Sequence, residues 1–416
     1  MYTYALDAGN LLLRWLHVIA AIAWIGESIY FVMLDNSLRV PRDRQARASG
    51  VHGEMWAVHG GGFYHNQKYL SSPAELPDDL HWSFWKAYTT WLSGFALFAL
   101  LYLYRPEFYL VNTASPWAWA AALSGRQAGV VAVAFLVLGY IVYSQLCRRI
   151  SPTMQHDGLL SAAVGVMMVV VAYLTVQIFP GRAAFLVTGA LMATCMSANV
   201  FFWIIPGQRR MVAALKAGEK PDPLDGLRGK QRSVHNTYFT LPVVLLMLSN
   251  HYSFIFSGAW SWVVMSLFIF AGALIRQYFV LRHMGKNRPA YPLAGVVLLL
   301  LALWLAAPAK APASAAGAAK GAGQGNVASV PQAAAGELLQ VQSIVMARCV
   351  QCHSATPVQP GFTAPPAGMV FDTHDQILLH AAQIKQAVAS GYMPLGNITH
   401  MTDQERALIA GWSGLK

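Results

Sequence analysis

Cys349, Cys352 and His353 lie in one five-residue run, Cys-Val-Gln-Cys-His. Two thiols spaced by two residues can form thioethers to the two vinyl groups of a haem, and the adjoining imidazole can supply a nitrogen to its iron. Met393, in the Gly-rich stretch SGYMPLGN, offers a thioether for the opposite side of the iron. Met369 and Met401 are rivals in less loop-like surroundings. A zinc site would need a second pair of ligands, and none lies nearby. The spacing predicts one covalent haem c held by Cys349, Cys352, His353 and Met393. A helical stretch from Glu337 leads into the motif, and a capping box, Thr402-x-x-Glu405, opens a final helix.

Other polar residues sit where polarity is costly. His17 and Glu27 interrupt the apolar run LLLRWLHVIAAIAWIGESIYF, and His235 and Asn236 open HNTYFTLPVVLLMLSNHY, which ends on Asn250 and His251. Ionisable groups inside a membrane default to functional hypotheses. Residues 50–70, GVHGEMWAVHGGGFYHNQKYL, hold His52, Glu54, His59, His65, three consecutive glycines and several aromatics. Glycines allow close backbone approach to a ligand, and Trp56, Phe63 and Tyr64 could stack on a flat ring. Read as a loop, this segment offers His59, His65 and Glu54 as bases or hydrogen-bond partners; a histidine base suits neutral pH.

The elements that must position these groups are membrane helices. The 416-residue chain is 56% hydrophobic and 11% charged, well below the ~25% charge of soluble domains. Eight apolar runs of spanning length are expected: Asn10–Leu34, Trp82–Tyr104, Gln127–Leu146, Leu159–Phe179, Ala183–Ile205, Val234–Asn250, Ala259–Leu281 and Ala290–Ala307. Alternate loops carry seventeen Lys/Arg on one side against Arg105, Arg126 and Arg182 on the other. The basic side is expected to be cytoplasmic, with both termini outside. The net charge of +11 therefore reflects topology and not nucleic-acid binding. Residues 308–335 are rich in Ala, Gly, Pro and Ser and read as a flexible tether. The expected architecture is all-α: a polytopic bundle over 1–307, the tether, and a small domain over 336–416. Cys147, Cys195, Met167, Met168, Met192 and Met196 read as packing residues.

The C-terminal segment resembles the class I cytochromes c along its length. RWLHVIAAIAWIGESIYF, HGEMWAVHGGGFYHNQKY and HNTYFTLPVVLLMLSNHY together resemble the membrane urate oxidase (urate hydroxylase) family, which joins an eight-span domain to a C-terminal cytochrome c. The resemblance covers essentially the whole chain. It implies oxidation of urate to 5-hydroxyisourate with water as oxygen source. Electrons would leave through haem c to a soluble or membrane cytochrome c or a terminal oxidase, without hydrogen peroxide. It places the chain in a bacterial inner membrane, with the cytochrome c domain periplasmic. No Gly-rich dinucleotide fingerprint is present, which argues against NAD or FAD. Because a ~30 Å hydrocarbon core separates a cytoplasmic urate site from a periplasmic haem, a bridging b-type haem on His17 and His251 is a further expectation. A non-catalytic electron conduit and a quinol oxidase using His235 and Asn236 are the rival readings.

Overall fold

The computed structural model describes residues 2–70, 73, 76–307, 332–359, 365, 366, 369–389 and 391–412. The tether expected over 308–335 lies for the most part outside the described residues. The chain opens with helix α1 (Tyr2–Ser37), followed by strands β1 (Val51–His59) and β2 (Gly62–Tyr69). The bundle continues with α2 (Trp85–Phe98), α3 (Gly125–Ile150), α4 (Asp157–Ile178), α5 (Gly181–Asn199), α6 (Pro223–Leu248), α7 (Ser261–His283) and α8 (Ala290–Ala306). Among the described residues, five helical segments are long and apolar enough to cross a membrane: Ala8–Ser37, Gly125–Ile150, Asp157–Ile178, Gly181–Lys216 and Ser261–His283. The protein is a multi-pass helical membrane bundle.

Helix ends follow local chemistry. Ser124 and Gln127 form a capping box at the start of α3, whose last turn carries Arg148 and Arg149. Asp222 accepts from the Leu224 amide at 2.9 Å and Pro223 opens α6, eleven residues ahead of the expected apolar start at Val234. The charged first half of α6 breaks the hydropathy signal, although the helix itself is continuous. Pro242 lies inside α6, and α7 meets it at Gly272, where a Cβ would come 2.9 Å from the proline ring. Single π turns extend α2 (Ala99–Leu103) and join α5 to Ile205–Lys216 (Val200–Ile204); such turns re-aim side chains.

The core is drawn from α3, α4, α5 and α7, with Leu160, Phe185, Leu191 and Met265 fully buried. Met167, Met168, Met192, Met196, Cys147 and Cys195 pack within it, as their spacing suggests. Leu11, Leu12, Trp15 and Ile22 of α1 and Leu293, Leu300 and Trp304 of α8 face outward, an apolar girdle suited to lipid.

The all-α expectation needs one correction. Residues 51–69 form an antiparallel hairpin, with Trp56 opposite His65 and His59 opposite Gly62. Gly60 and Gly61 both have positive φ, +57° and +80°, the conformation a tight two-residue hairpin turn requires. The glycine triplet thus builds a turn.

A second, smaller core gathers Val341 and Val345 of α9 (Gln332–Arg348), Ile377 of α10 (His374–Leu379), Ile384 of α11 (Ala381–Ala389) and Ile409 of α12 (Asp403–Gly411) around Phe371, Met401 and Trp412. The Thr402–Glu405 capping box is formed, with Thr402 Oγ1 accepting from the Glu405 amide at 3.2 Å.

Candidate functional site

The hairpin joins two of the three residues singled out in it. His65 Nε2 meets Glu54 Oε2 at 2.9 Å, and the His65 ring stacks on Trp56 at 4.2 Å. The Arg42 amide, donating to Glu54 Oε1 at 3.1 Å, and then His65 hold the Glu54 carboxyl below the usual carboxylate range. His59 sits at the turn, exposed. The dyad is open to solvent, so the hairpin has hydrogen-bonding groups but no apolar walls.

A better-walled site lies among α3, α5 and α6. Asn199 Nδ2 donates to the Tyr143 hydroxyl and to Asn236 Oδ1, both at 2.9 Å. The Tyr143 hydroxyl also contacts His235 Nδ1 at 2.8 Å, and Asn236 Nδ2 donates to the Met196 carbonyl at 3.0 Å. Arg232 Nη1 donates to Asn199 Oδ1 at 3.3 Å, its guanidinium held over the rings of Tyr143 (5.1 Å) and Trp203 (4.8 Å). All of these but Trp203 are buried. Next to them is a cavity of about 260 Å³ lined in part by Cys147, Arg148, Trp203, Arg228, Gln231 and Arg232. It lies at the basic end of the bundle. Sequence reading noted His235 and Asn236 but missed Tyr143, Asn199, Trp203 and Arg232. An asparagine and an arginine inside or beside apolar runs were the available signal.

His17 lies in the seam between α1 and α2, its Nδ1 in contact with the Thr90 carbonyl (2.9 Å) and Ser93 Oγ (3.2 Å). A Cβ on Gly94 would stand 2.7 Å from the imidazole, so glycine is what admits the ring. His251 is exposed in the turn Ser249–His251 beyond α6. No hydrogen bond or ring contact joins the two histidines among the described residues. His17 is partly buried against Gly94 and His251 is exposed, and no step is drawn through a b-type haem.

In the C-terminal unit, Cys349 and Cys352 are free thiols at the end of α9. Burial pushes Cys349 up to about 12 and raises Cys352 as well. His353 Nδ1 donates to the Met369 carbonyl at 3.1 Å, and its ring stacks on Phe371 at 4.7 Å. That bond fixes the tautomer and leaves Nε2 free as a ligand. Burial lowers the His353 pKa. The Met369 backbone carbonyl thus positions His353, and Met401 is buried in the core. Met393 is partly exposed, its backbone held by Ala387 and Arg406. Trp412 Nε1, His380 Nδ1 and Thr399 Oγ1 are buried polar atoms without a hydrogen-bond partner among the described residues. This set fits a polar-edged prosthetic group with Cys349, Cys352, His353 and Met393 as its attachments.

The two units meet at the sparsely charged end of the bundle. Tyr392, adjacent to Met393, accepts a hydrogen bond from Arg182 Nη1 at 3.3 Å, and its ring lies 5.8 Å from Phe256. Arg182 Nε and the Tyr102 hydroxyl both donate to Asn250 Oδ1 at 3.3 Å, and the guanidinium lies over Tyr109. Gly396 packs on the Glu107 carbonyl, where a Cβ would approach within 2.6 Å. Below this seat runs a column of rings: Trp91–Phe95 (5.3 Å), Phe95–Phe98 (6.4 Å), Phe98–Tyr102 (5.7 Å) and Tyr102–Tyr109 (5.2 Å). Trp91 donates to Thr194 Oγ1 at 3.1 Å, on the helix that carries Asn199.

Residues 3–307 match the family described as urate oxidase N-terminal. The chain belongs to that family. No curated protein and no solved structure matches it. The urate oxidase N-terminal region contains the hairpin, the Asn199 network, the cavity and the aromatic column. It ends before Cys349. Membership brings urate-related oxidoreductase chemistry to the bundle, and the attachment residues of the C-terminal unit lie outside the matched span.

Proposed function

We propose that this protein oxidises urate to 5-hydroxyisourate at the membrane, with water as the oxygen source, and passes the electrons to a haem c on the C-terminal unit. The observation that supports it is the seating of that unit, through Tyr392 beside Met393, on the end of the ring column that rises from the family-matched bundle. Urate and water yield 5-hydroxyisourate, two protons and two electrons. A haem bound there would supply one-electron redox chemistry, and a soluble or membrane cytochrome c or a terminal oxidase would take the electrons in place of dioxygen.

In this reading all eight apolar helices cross a bacterial inner membrane, with the N-terminus and the cytochrome c unit in the periplasm. The seat lies at the end whose loops carry only Arg105, Arg126 and Arg182, which suits an outward face. His353, Met393, Cys349 and Cys352 would hold the haem. Trp91, Phe95, Phe98, Tyr102 and Tyr109 pack the path from the inner half of the bundle to the seat. At the basic end the His65–Glu54 dyad, with His59 on the same hairpin, takes up the released protons.

Turnover in H₂¹⁸O with a ferric cytochrome c acceptor tests the reading. Label in the 5-hydroxyl group, two electrons delivered per urate and no peroxide are expected. Label arriving from ¹⁸O₂, or stoichiometric peroxide, would overturn it.

A further inference from the structure

We propose that the 260 Å³ cavity at the basic end is the urate site, with Arg232 and Trp203 as its recognition residues. This rests on the urate-oxidising reading above and adds the place where the substrate binds.

Charge is the first argument. Arg148, Arg228 and Arg232 line the cavity, and no carboxylate is among its lining residues. Arg232 is 2% exposed, and among the described residues its guanidinium has no carboxylate partner within ion-pair distance. Other arginines of this chain do have one: Arg210 pairs with Asp225 and Arg348 with Glu405. A buried cation without a counter-ion is costly, and here it has only an amide oxygen and two ring faces. Asp157, the nearby carboxylate, is already held by Ser151 Oγ and Gln231 Nε2 at 2.7 and 2.8 Å. The cavity therefore calls for an anion.

Shape and hydrogen bonding narrow the anion. The cavity falls just below the ~300–1,000 Å³ of pockets for drug-sized ligands, a size for a small two-ring molecule. Trp203 supplies a flat wall, and its Nε1 is buried with no hydrogen-bond partner among the described residues, a donor for a ligand oxygen. It stands in the π turn Val200–Ile204, which turns it out of the regular helix register. Urate at neutral pH is a flat monoanion edged with carbonyl oxygens. A guanidinium fork can bind two such acceptors side by side. The neighbouring Tyr143–Asn199–Asn236–His235 network fixes the guanidinium through Asn199 Oδ1, so the fork is set before the ligand arrives.

The test is equilibrium dialysis of labelled urate against the full-length holoprotein in nanodiscs, reduced and without an electron acceptor so that no turnover occurs. Arg232→Gln is expected to weaken binding by about tenfold or more, the equivalent of ~1.4 kcal/mol. Arg232→Lys keeps the charge but loses the fork and should fall between that variant and the wild type. Trp203→Phe keeps the wall, loses the donor, and should weaken binding several-fold. Inorganic phosphate, the competing anion source, should not displace urate at equal concentration. Urate affinity unchanged in both Arg232→Lys and Trp203→Phe, with the haem spectrum and melting temperature preserved, would overturn the site; so would displacement by phosphate. Those results with urate oxidation intact would refute only the site. A wild type that neither binds nor oxidises urate would refute the proposed function with it.

Discussion

The two ends of the bundle solve opposite problems with different chemistry. At the basic end, Tyr143, Asn199, Asn236 and His235 satisfy one another through hydrogen bonds between three helices, and a cavity opens beside them. At the other end, polar groups are sparse; rings stack, and one cation, Arg182, ties Asn250, Tyr109 and Tyr392 together. The first arrangement suits holding a polar substrate away from lipid. The second suits a dry contact across which electrons leave. In the proposed reading, substrate binding and electron exit would occupy opposite faces, with the ring column from Trp91 to Tyr109 between them.

Substitutions should separate the two ends. The largest stability effect is expected at Asn199. Replacing it by leucine takes the hydrogen-bond partner of Asn236 Oδ1 and Arg232 and one of the two partners of the Tyr143 hydroxyl, at about 1–3 kcal/mol for each group left unpaired. A thermal melt in nanodiscs should show a fall of many degrees, and a melt within a degree of wild type would show the network to be incidental. At the opposite end, Arg182→Ala removes a charged hydrogen bond to Tyr392, worth about 2 kcal/mol, or roughly 30-fold in the seated population. Haem c reduction by urate should slow accordingly while urate affinity stays unchanged. Loss of affinity instead would erase the distinction between the ends.

Between the ends, Gly94→Ala drives a methyl group into His17, an overpacking cost of about 1–3 kcal/mol, readable as a lower melting temperature. On the hairpin, His65→Ala breaks an exposed pair, so less than about 1 kcal/mol of stability is at stake. Turnover should drop about tenfold, because a proton acceptor contributes ~10²–10⁴ when shielded from water and solvent partly replaces this one. Wild-type turnover in the paired variants His59→Ala and His65→Ala would remove the hairpin from the reaction.

The smallest effect concerns pH. The Thr402 amide, and after it Arg348, hold Glu405 below the ordinary carboxylate range. Its folded pKa is thus depressed. Its contribution to stability is full above that range and is lost as the pH falls through the folded value. Glu405→Gln should flatten the acid limb of the C-terminal unit's melting curve between those two values; an unchanged limb would show that other carboxylates govern it.

Legibility in the sequence follows how local the chemistry is. Cys349, Cys352 and His353 lie within five residues, so an expectation for them needs no fold. The apolar runs announced the bundle because length and hydropathy are properties of a single segment. The hairpin was misjudged as a loop because its polar and aromatic residues hide a two-residue period, and the glycines that looked like a ligand contact form its turn. The inner network was not legible. Tyr143, Asn199 and His235 come from three helices, and nothing in their spacing says that they meet. The packing of His17 against Gly94 was equally hidden, because the two residues sit on different helices.

The most direct measurement is anaerobic stopped-flow mixing of urate with the oxidised full-length protein, followed at the haem c absorption bands. The account predicts reduction of the haem by urate alone, slowed in Arg182→Ala through its seat and in Arg232→Gln through weaker binding. A haem that stays oxidised with urate but is reduced by a quinol would contradict it.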